Sequence, residues 1–322
     1  MQAQIHNKFI KFTKPANLSH QAAATRKAAP HGRHRATAFL PPRRCPFVLS
    51  YAPCGELTDA PGYIIIQLEE KTAPFALLSA KKGRKDWMQM KKKTIALVFA
   101  DEMEYLPFLR LVNRYAGEAG DCRGLRAASF TLTAGDRTLC LRGVECGIGK
   151  VCAAAATAYL IADEKVDLVL NAGLSGAISG LRRGDFVVGT SFRECDFDLT
   201  PLGRPLGKEA IEADPALLSL AVSLPDVRTG AFGTGDLFLT EPAKKTQYKE
   251  LFSITAFDME TAAIAQVCKQ NGVPFCSLRQ ISDGADDCSV EDYTEMNDRA
   301  EDALCLCLLQ LCEKILAEDA LW

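Results

Sequence analysis

Carboxylates are the residues of this chain best placed to do chemistry, because they cluster where apolar runs end. Asp101, Glu102 and Glu104 follow "TIALVF", Asp196 and Asp198 follow "GTSFREC", Asp258 and Glu260 follow "ITAF", and Asp283 and Asp286 follow "PFCSLRQIS". Each alone fits a helix cap or a first-turn acid stabilised by the helix dipole. Together they occupy the positions where open parallel sheets collect their ligands, just beyond the carboxyl ends of the strands. Acid–base chemistry is the natural use of such a set. It would have to proceed without imidazole, since all four histidines (His6, His20, His31, His34) lie in the first 34 residues. Ser-His-Asp and Cys-His nucleophiles and histidine-based zinc sites are thereby excluded from the later chain.

Three familiar signatures fail on inspection. "GLSGA" (173–177) breaks the GxSxG spacing, and Ser175 has no histidine to activate it. "GIGK" (147–150) lacks the phosphate-loop glycine at Val144 and hydroxyl at Val151, and Cys152 takes the third glycine of a dinucleotide fingerprint. A tight turn opening a helix close to a sheet is the simpler reading of that segment.

The elements that must position the acids begin at Thr94. From there β-branched and apolar runs alternate with helical ones, the pattern of a parallel sheet with crossover helices. Strands are predicted at "TIALVF", "VDLVLNAG", "GDFVVGTSF", "DVRTGAF", around "ITAFD" and at "PFCSLRQIS", with a hairpin from "SFTLTAG" and "RTLCLRG". Helices are predicted over 102–115, over "GKVCAAAATAYLIAD", over 259–270, and as one closing helix over about 290–317. This makes a single α/β domain over 91–322. Residues 1–90 form an irregular basic extension, expected to be disordered. Its first 55 residues hold nine Lys and Arg and no acid, which resembles an organelle transit peptide. The competing reading is that translation starts at Met88 or Met90.

With 48% hydrophobic residues the chain can bury one substantial core. A net charge of −2 gives no basic field to draw it onto nucleic acid. Its apolar runs fall short of the roughly 20 residues that cross a bilayer. The 13 cysteines are scattered without CxxC pairs, which fits reduced thiols in a cytoplasm. Cys305, Cys307 and Cys312 sit in a helical pattern, where free cysteine serves as a small hydrophobe rather than a metal ligand.

Several ordered segments resemble the 5′-methylthioadenosine/S-adenosylhomocysteine nucleosidases of the nucleoside phosphorylase superfamily. They are "IALVFADEMEYLPFL", "CGIGKVCAAAATAYLI", "VDLVLNAGLSGAISGLRRGDFVVG", "CDFDLTPLG", "TGDLFL", "FDMETAAIAQVC" and "RQISDGAD". The resemblance runs from about Thr94 to the last helix. It implies a doubly wound three-layer α/β sandwich with a mostly parallel central sheet flanked by helices. The implied reaction is hydrolysis of the N-glycosidic bond of an adenine nucleoside, with no cofactor and no metal, in a homodimer. By resemblance, Asp283 protonates or hydrogen-bonds N7 of the leaving adenine, and Glu104 activates the water with help from Arg279. Glu260 binds the ribose hydroxyls, Met259 lies against the sugar, Phe238 stacks on the base, and the backbone at Leu239 reads its edge. Asp258 stands where the family has Glu, Leu174 replaces a small polar residue, and Asp101 enters a loop that is commonly apolar.

The chemistry agrees with those roles. Breaking this bond builds positive charge on the sugar and negative charge on the purine, so it needs a proton donor at the base and anions near the ribose. An aspartic acid that donates must be held in its acid form, which burial behind a strand and a like charge such as Asp286 both favour. Glu104 and Asp283 are therefore expected to face one cavity from opposite ends of the bond. A phosphorylase would want glycine and arginine after the first strand, where this chain has the acidic "FADEME". A futalosine-type hydrolase and a catalytically dead binding protein are the remaining alternatives. The apolar stretch around "AISGL" is the expected contact with a second copy.

Overall fold

The computed structural model describes residues 90–299 and 301–322. The readings made for residues 1–89 lie outside the described residues. The elements run β1 (Lys91–Phe99), α1 (Glu102–Arg114), β2 (Glu118–Cys122), β3 (Leu125–Ala134), β4 (Arg137–Glu145), α2 (Lys150–Ala162), β5 (Leu168–Ala177) and β6 (Phe186–Glu194). They continue with β7 (Ile211–Glu212), α3 (Pro215–Val222), β8 (Val227–Thr234), α4 (Pro242–Phe252), β9 (Ala256–Asp258), α5 (Thr261–Asn271), β10 (Phe275–Asp283), α6 (Ser289–Arg299) and α7 (Ala303–Ala317).

The strands form one 10-stranded sheet in the order β10-β6-β8-β9-β5-β1-β4-β3-β2, with β7 paired to β6. β4, β1, β5 and β10 run parallel, as do β6, β8 and β9. Antiparallel pairing occurs in the β2-β3-β4 meander and where the two parallel sets meet, at β10–β6 and β5–β9. Because β10 also pairs with β5, the strands β5, β10, β6, β8 and β9 close a ring. β10 is buried along all of its nine residues, as a strand at the centre of a layered fold must be.

Apolar side chains cover both faces of the sheet. On one face Tyr105, Phe108 and Leu111 of α1 pack with Leu217 of α3 and with Leu308, Leu311 and Ile315 of α7. Ala153, Ala156 and Leu160 of α2 pack on the other with Ile264, Ala265 and Cys268 of α5. The alanines of α2 combine high helix propensity with small volume, which lets it lie close to α5 and the sheet. These are the three layers expected from the sequence. Cys305, Cys307 and Cys312 all belong to the α7 core face.

Several boundaries differ from the sequence reading. β1 begins at Lys91, three residues earlier than predicted. The single closing helix is two helices, α6 ending at Arg299 and α7 starting at Ala303. Their compositions explain the break: α6 is acidic and polar (SVEDYTEMNDR), whereas α7 (ALCLCLLQLCEKILA) carries apolar residues into the core. Helices α3 and α4 escape prediction although both start with Pro in the first turn, and Asp214 caps α3 by accepting the Ala216 and Leu217 N–H groups.

Candidate active site

The site grows from Arg279, which β10 delivers into the interior with no solvent exposure. Its Nη2 lies 3.3 Å from Glu260 Oε2 and 3.5 Å from Asp258 Oδ2, and its Nη1 lies 3.9 Å from Glu104 Oε1. Nη2 also donates to Thr261 Oγ1 at 2.9 Å and Nη1 to the Leu174 carbonyl at 3.2 Å. A guanidinium so occupied orients carboxylates; it is the cation that makes burying three acids tolerable. Asp258 is fixed further by accepting from Thr234 Oγ1 and from the Glu260 and Thr261 N–H groups. Beneath it Asn171 Oδ1 accepts from Ser277 Oγ at 3.0 Å and from Thr261 Oγ1 at 3.1 Å.

Glu104 sits on the first turn of α1, which Asp101 caps by accepting the Glu104 N–H at 2.9 Å. The Glu104 carboxylate accepts the Leu174 N–H at 2.7 Å on Oε1 and the Ala100 N–H at 2.9 Å on Oε2. Its side chain is 7% exposed. Burial pushes its carboxyl up to about 8; Arg279 opposes this, and the charges of Asp101 and Glu260 reinforce it. Glu260 is also raised by burial, with Arg279 opposing and Asp258 reinforcing. Its Oε1 accepts the Gly149 N–H at 3.0 Å, which places the "GIGK" turn against it.

Gly173 explains part of the glycine-rich stretch. A Cβ there would lie 2.3 Å from Arg279 Nη1 and 2.4 Å from Glu104 Oε1. Three residues along β5, a Cβ on Gly176 would lie 2.9 Å from Asp283 Oδ1. Arg279 pairs with Gly173 and Asp283 with Gly176, across a bulge between Ile281 and Asp283. The two ends of the site are thus held about 10 Å apart along β5, at about 3.3 Å per residue.

At the far end Asp283 is 4% exposed. Its Oδ1 accepts the Ala285 N–H at 2.8 Å. Ser282 Oγ lies 2.6 Å from Asp283 Oδ2 and 3.3 Å from the Ser175 carbonyl. The Ser282 hydroxyl donates to Asp283 Oδ2 at the shorter of these two distances. Leu239 is buried against Ala285 and Ile178, whereas Phe238 is 42% exposed. Met259 is half-buried between Asp258 and Glu260.

Glu104, Arg279 and Glu260 therefore meet, and Leu239 packs in the cluster that holds Ala285, two residues beyond Asp283. Glu104 and Asp283 line two different cavities among the described residues. Asp283 opens into a cavity of about 460 Å³ shared with Arg183, Asp286, Cys288 and Asp292. Glu104 lines a separate cleft of about 30 Å³ with Met103, Gln280, Met296 and Asn297. Helix α6 borders both, contributing Asp292 to one and Met296 and Asn297 to the other. Its Tyr293 ring meets Phe238 edge-on at 5.3 Å and its hydroxyl donates to Asp101 Oδ2 at 3.1 Å. The sequence pattern merges this polar helix into the closing helix. Tyr293, Thr261 and Asn171 are absent from the predicted site, and Asp258 entered it only as one of the carboxylates at the strand ends. Ala177 and Ile178 of "AISGL" are buried within the chain, and the exposed apolar residues include Ile148 and Val151.

Known proteins resemble this chain in sequence and in fold. The phosphorylase superfamily model matches residues 94–313. The 5′-methylthioadenosine/S-adenosylhomocysteine nucleosidase of Shewanella piezotolerans is 38% identical over 162 residues, 46% of this chain and 70% of that one. The nucleosidase of the same name from Shewanella sediminis is 36% identical over 182 residues, 52% of this chain and 79% of that one. Among solved structures, S-adenosylhomocysteine nucleosidase from Streptococcus pyogenes aligns with a TM-score of 0.63 at 27% identity, covering 70% of this chain and 98% of that chain. A futalosine hydrolase mutant of Helicobacter pylori aligns with a TM-score of 0.63 at 24% identity, over 69% of this chain and 99% of that chain, a likeness of fold alone. The chain belongs to the phosphorylase superfamily and, within it, to the 5′-methylthioadenosine/S-adenosylhomocysteine nucleosidase family.

Proposed function

We infer that this protein hydrolyses the N-glycosidic bond of 5′-methylthioadenosine, S-adenosylhomocysteine or both, releasing adenine and a 5-thioribose product. The observation that carries the reading is the pair of acids at the two ends of the Gly173–Gly176 stretch, one among buried charges and the other at the end of β10. Asp283 gives its proton to N7 as the C–N bond lengthens, so the purine leaves without a full negative charge. A positioned acid of this kind contributes about 10²–10⁴-fold. Glu104, with Arg279 fixing its carboxylate, takes a proton from the attacking water. A base titrating near 8 is strong enough for that step. Glu260 holds the ribose hydroxyls and its charge favours the cationic sugar, Met259 packs on the sugar, Phe238 stacks on adenine and the Leu239 backbone reads its edge. Phosphate is disfavoured as the nucleophile because Arg279 is already engaged by Glu260, Asp258 and Thr261.

The reading extends to assembly and place. Ile148 and Val151, 53% and 79% exposed at the start of α2, supply an apolar surface for a homodimer beside the Glu260 end of the site. No helix among the described residues is long and apolar enough to cross a membrane, and the described cysteines are all free, which suits a reducing cytoplasm. Incubation with 5′-methylthioadenosine, with and without phosphate, tests the reaction. The expected products are adenine and a free thioribose at a rate indifferent to phosphate. A phosphorylated sugar, or no adenine at all, rejects the reading. Light scattering tests the dimer.

A further inference from the structure

Helix α6 is tied down from two sides, one tie beside the cavity of Asp283 and the other at the turn that carries Glu104. Arg183, in the loop after β5, pairs with Asp292 at 3.1 Å and Glu295 at 3.0 Å on one flank of the helix. On the other flank Tyr293 and Asn297, one helical turn apart, both donate to Asp101 Oδ2, at 3.1 and 3.3 Å. The second Asp101 oxygen is the cap of α1, accepting the N–H of Glu104 itself. Asp101 is a carboxylate where a capping serine would have sufficed for α1 alone. Its two oxygens do different jobs: one fixes the turn that carries Glu104, the other fastens α6 over it.

We propose that Asp101 is a positioning residue for the hydrolysis, coupling closure of α6 across the site to the placement of Glu104. The proposal rests on the hydrolytic reading for its kinetic consequence but not for its structural one. Tyr293, fastened to Asp101 by its hydroxyl and resting its ring on Phe238, spans from the water end to the base end. The hydrogen bonds to Asp101 must break for a nucleoside to enter, and they re-form over it. The Asp101 charge also acts on Glu104 directly. The groups facing Glu104 are Arg279 of β10, Glu260 just before α5, Asp101, Cys146 after β4 and Tyr293 of α6, together with the Leu174 and Ala100 N–H groups. Of these, Asp101 and Glu260 hold its proton on and Arg279 draws it off.

Two variants separate the two jobs. Asp101→Ser keeps a capping oxygen and removes the oxygen that fastens α6. Tyr293→Phe removes one fastening hydrogen bond and leaves the ring on Phe238. Amide hydrogen exchange on the substrate-free full chain reads the fastening whether or not the chain cleaves any nucleoside. Exchange of α6 is expected to speed up about tenfold in Tyr293→Phe, the effect of losing one hydrogen bond to a charged group. In the Asp101→Ser background the same change is expected to add less than about twofold, because its partner is already gone. With 5′-methylthioadenosine, KM is expected to rise about tenfold in both variants with kcat within about threefold, the split that loss of a closing contact produces. The acid limb of kcat/KM is expected to move to lower pH in Asp101→Ser and to stay in place in Tyr293→Phe. Unchanged α6 exchange in both variants, losses that simply add, or an acid limb unmoved in Asp101→Ser would overturn the assignment. If no adenine is released by the parent chain the hydrolytic reading fails, and the exchange experiment still decides the fastening.

Discussion

Glu104→Gln should make the protein more stable, relative to the parent, as pH rises while ending its activity. Glu104 titrates near 8 in the folded chain, against 4.5 for the ordinary group. Its folded value is raised, so the stability associated with its protonated form is fully present below about pH 4.5 and is lost as pH climbs through about 8. Each tenfold change in a proton equilibrium corresponds to about 1.4 kcal/mol, so between pH 5 and pH 9 the parent loses about 4 kcal/mol that the glutamine variant does not. Glutamine brings a cost of its own. Both Glu104 oxygens accept backbone N–H groups, from Leu174 and Ala100, and an amide places its NH₂ against one of them. That mismatch costs about 1–3 kcal/mol but does not depend on pH. The quantity to measure is therefore the difference in unfolding free energy between variant and parent across pH, by denaturant titration in matched buffers. It should shift by about 4 kcal/mol in favour of the variant from pH 5 to pH 9, or by about 10 °C in Tm for a domain of this size. A difference that is flat with pH would refute the claim that Glu104 is a buried, proton-retaining acid.

Three other outcomes follow from the same geometry. Asp283→Asn should abolish adenine release while leaving nucleoside binding by calorimetry largely intact, since Asn keeps an oxygen for the Ala285 N–H but has no acid proton; substantial remaining turnover rejects its role. Gly173→Ala would set a methyl group 2.3–2.4 Å from Arg279 Nη1 and Glu104 Oε1, and kcat/KM should fall about 100-fold, because displacing reacting groups by about 1 Å costs that much; a fall of less than threefold would show that the acid has room to move. Thr261→Val removes the hydroxyl that joins Asp258, Arg279 and Asn171, and thermal unfolding should show a loss of about 2–4 kcal/mol, as for other buried polar networks broken at one member.

The sequence disclosed the layers and most of the acids for definite reasons. Continuous apolar strands such as β5 and β10 are unmistakable, and residues placed after them fall at the carboxyl ends whatever the details of packing. Asp283, Glu260 and Glu104 could be found that way. Arg279 could not have been read as an interior anchor from spacing alone, because its role depends on three acids from α1, β9 and α5 converging on it. The boundary of α6 is hidden because SVEDYTEMNDR and ALCLCLLQLCEKILA share a helical period; only burial distinguishes a mouth-covering helix from a core helix. Tyr293 escapes notice for the same reason. Asp101 stands out as an unusual acid, but its two partners lie 192 and 196 residues away, beyond what sequence spacing conveys. The apolar stretch "AISGL" misleads because hydrophobic composition does not say whether a neighbour is the same chain or another.

The most direct measurement is a crystal structure of Glu104→Gln soaked with 5′-methylthioadenosine, in which cleavage is blocked and the nucleoside is retained. The account predicts one ligand spanning both ends of the Gly173–Gly176 stretch, adenine N7 within hydrogen-bond reach of Asp283 and the anomeric carbon facing residue 104, with the Tyr293 hydroxyl back on Asp101 over it. A nucleoside confined to the cavity at Asp283, with residue 104 still walled off by Tyr293 and no path for water between them, would contradict it.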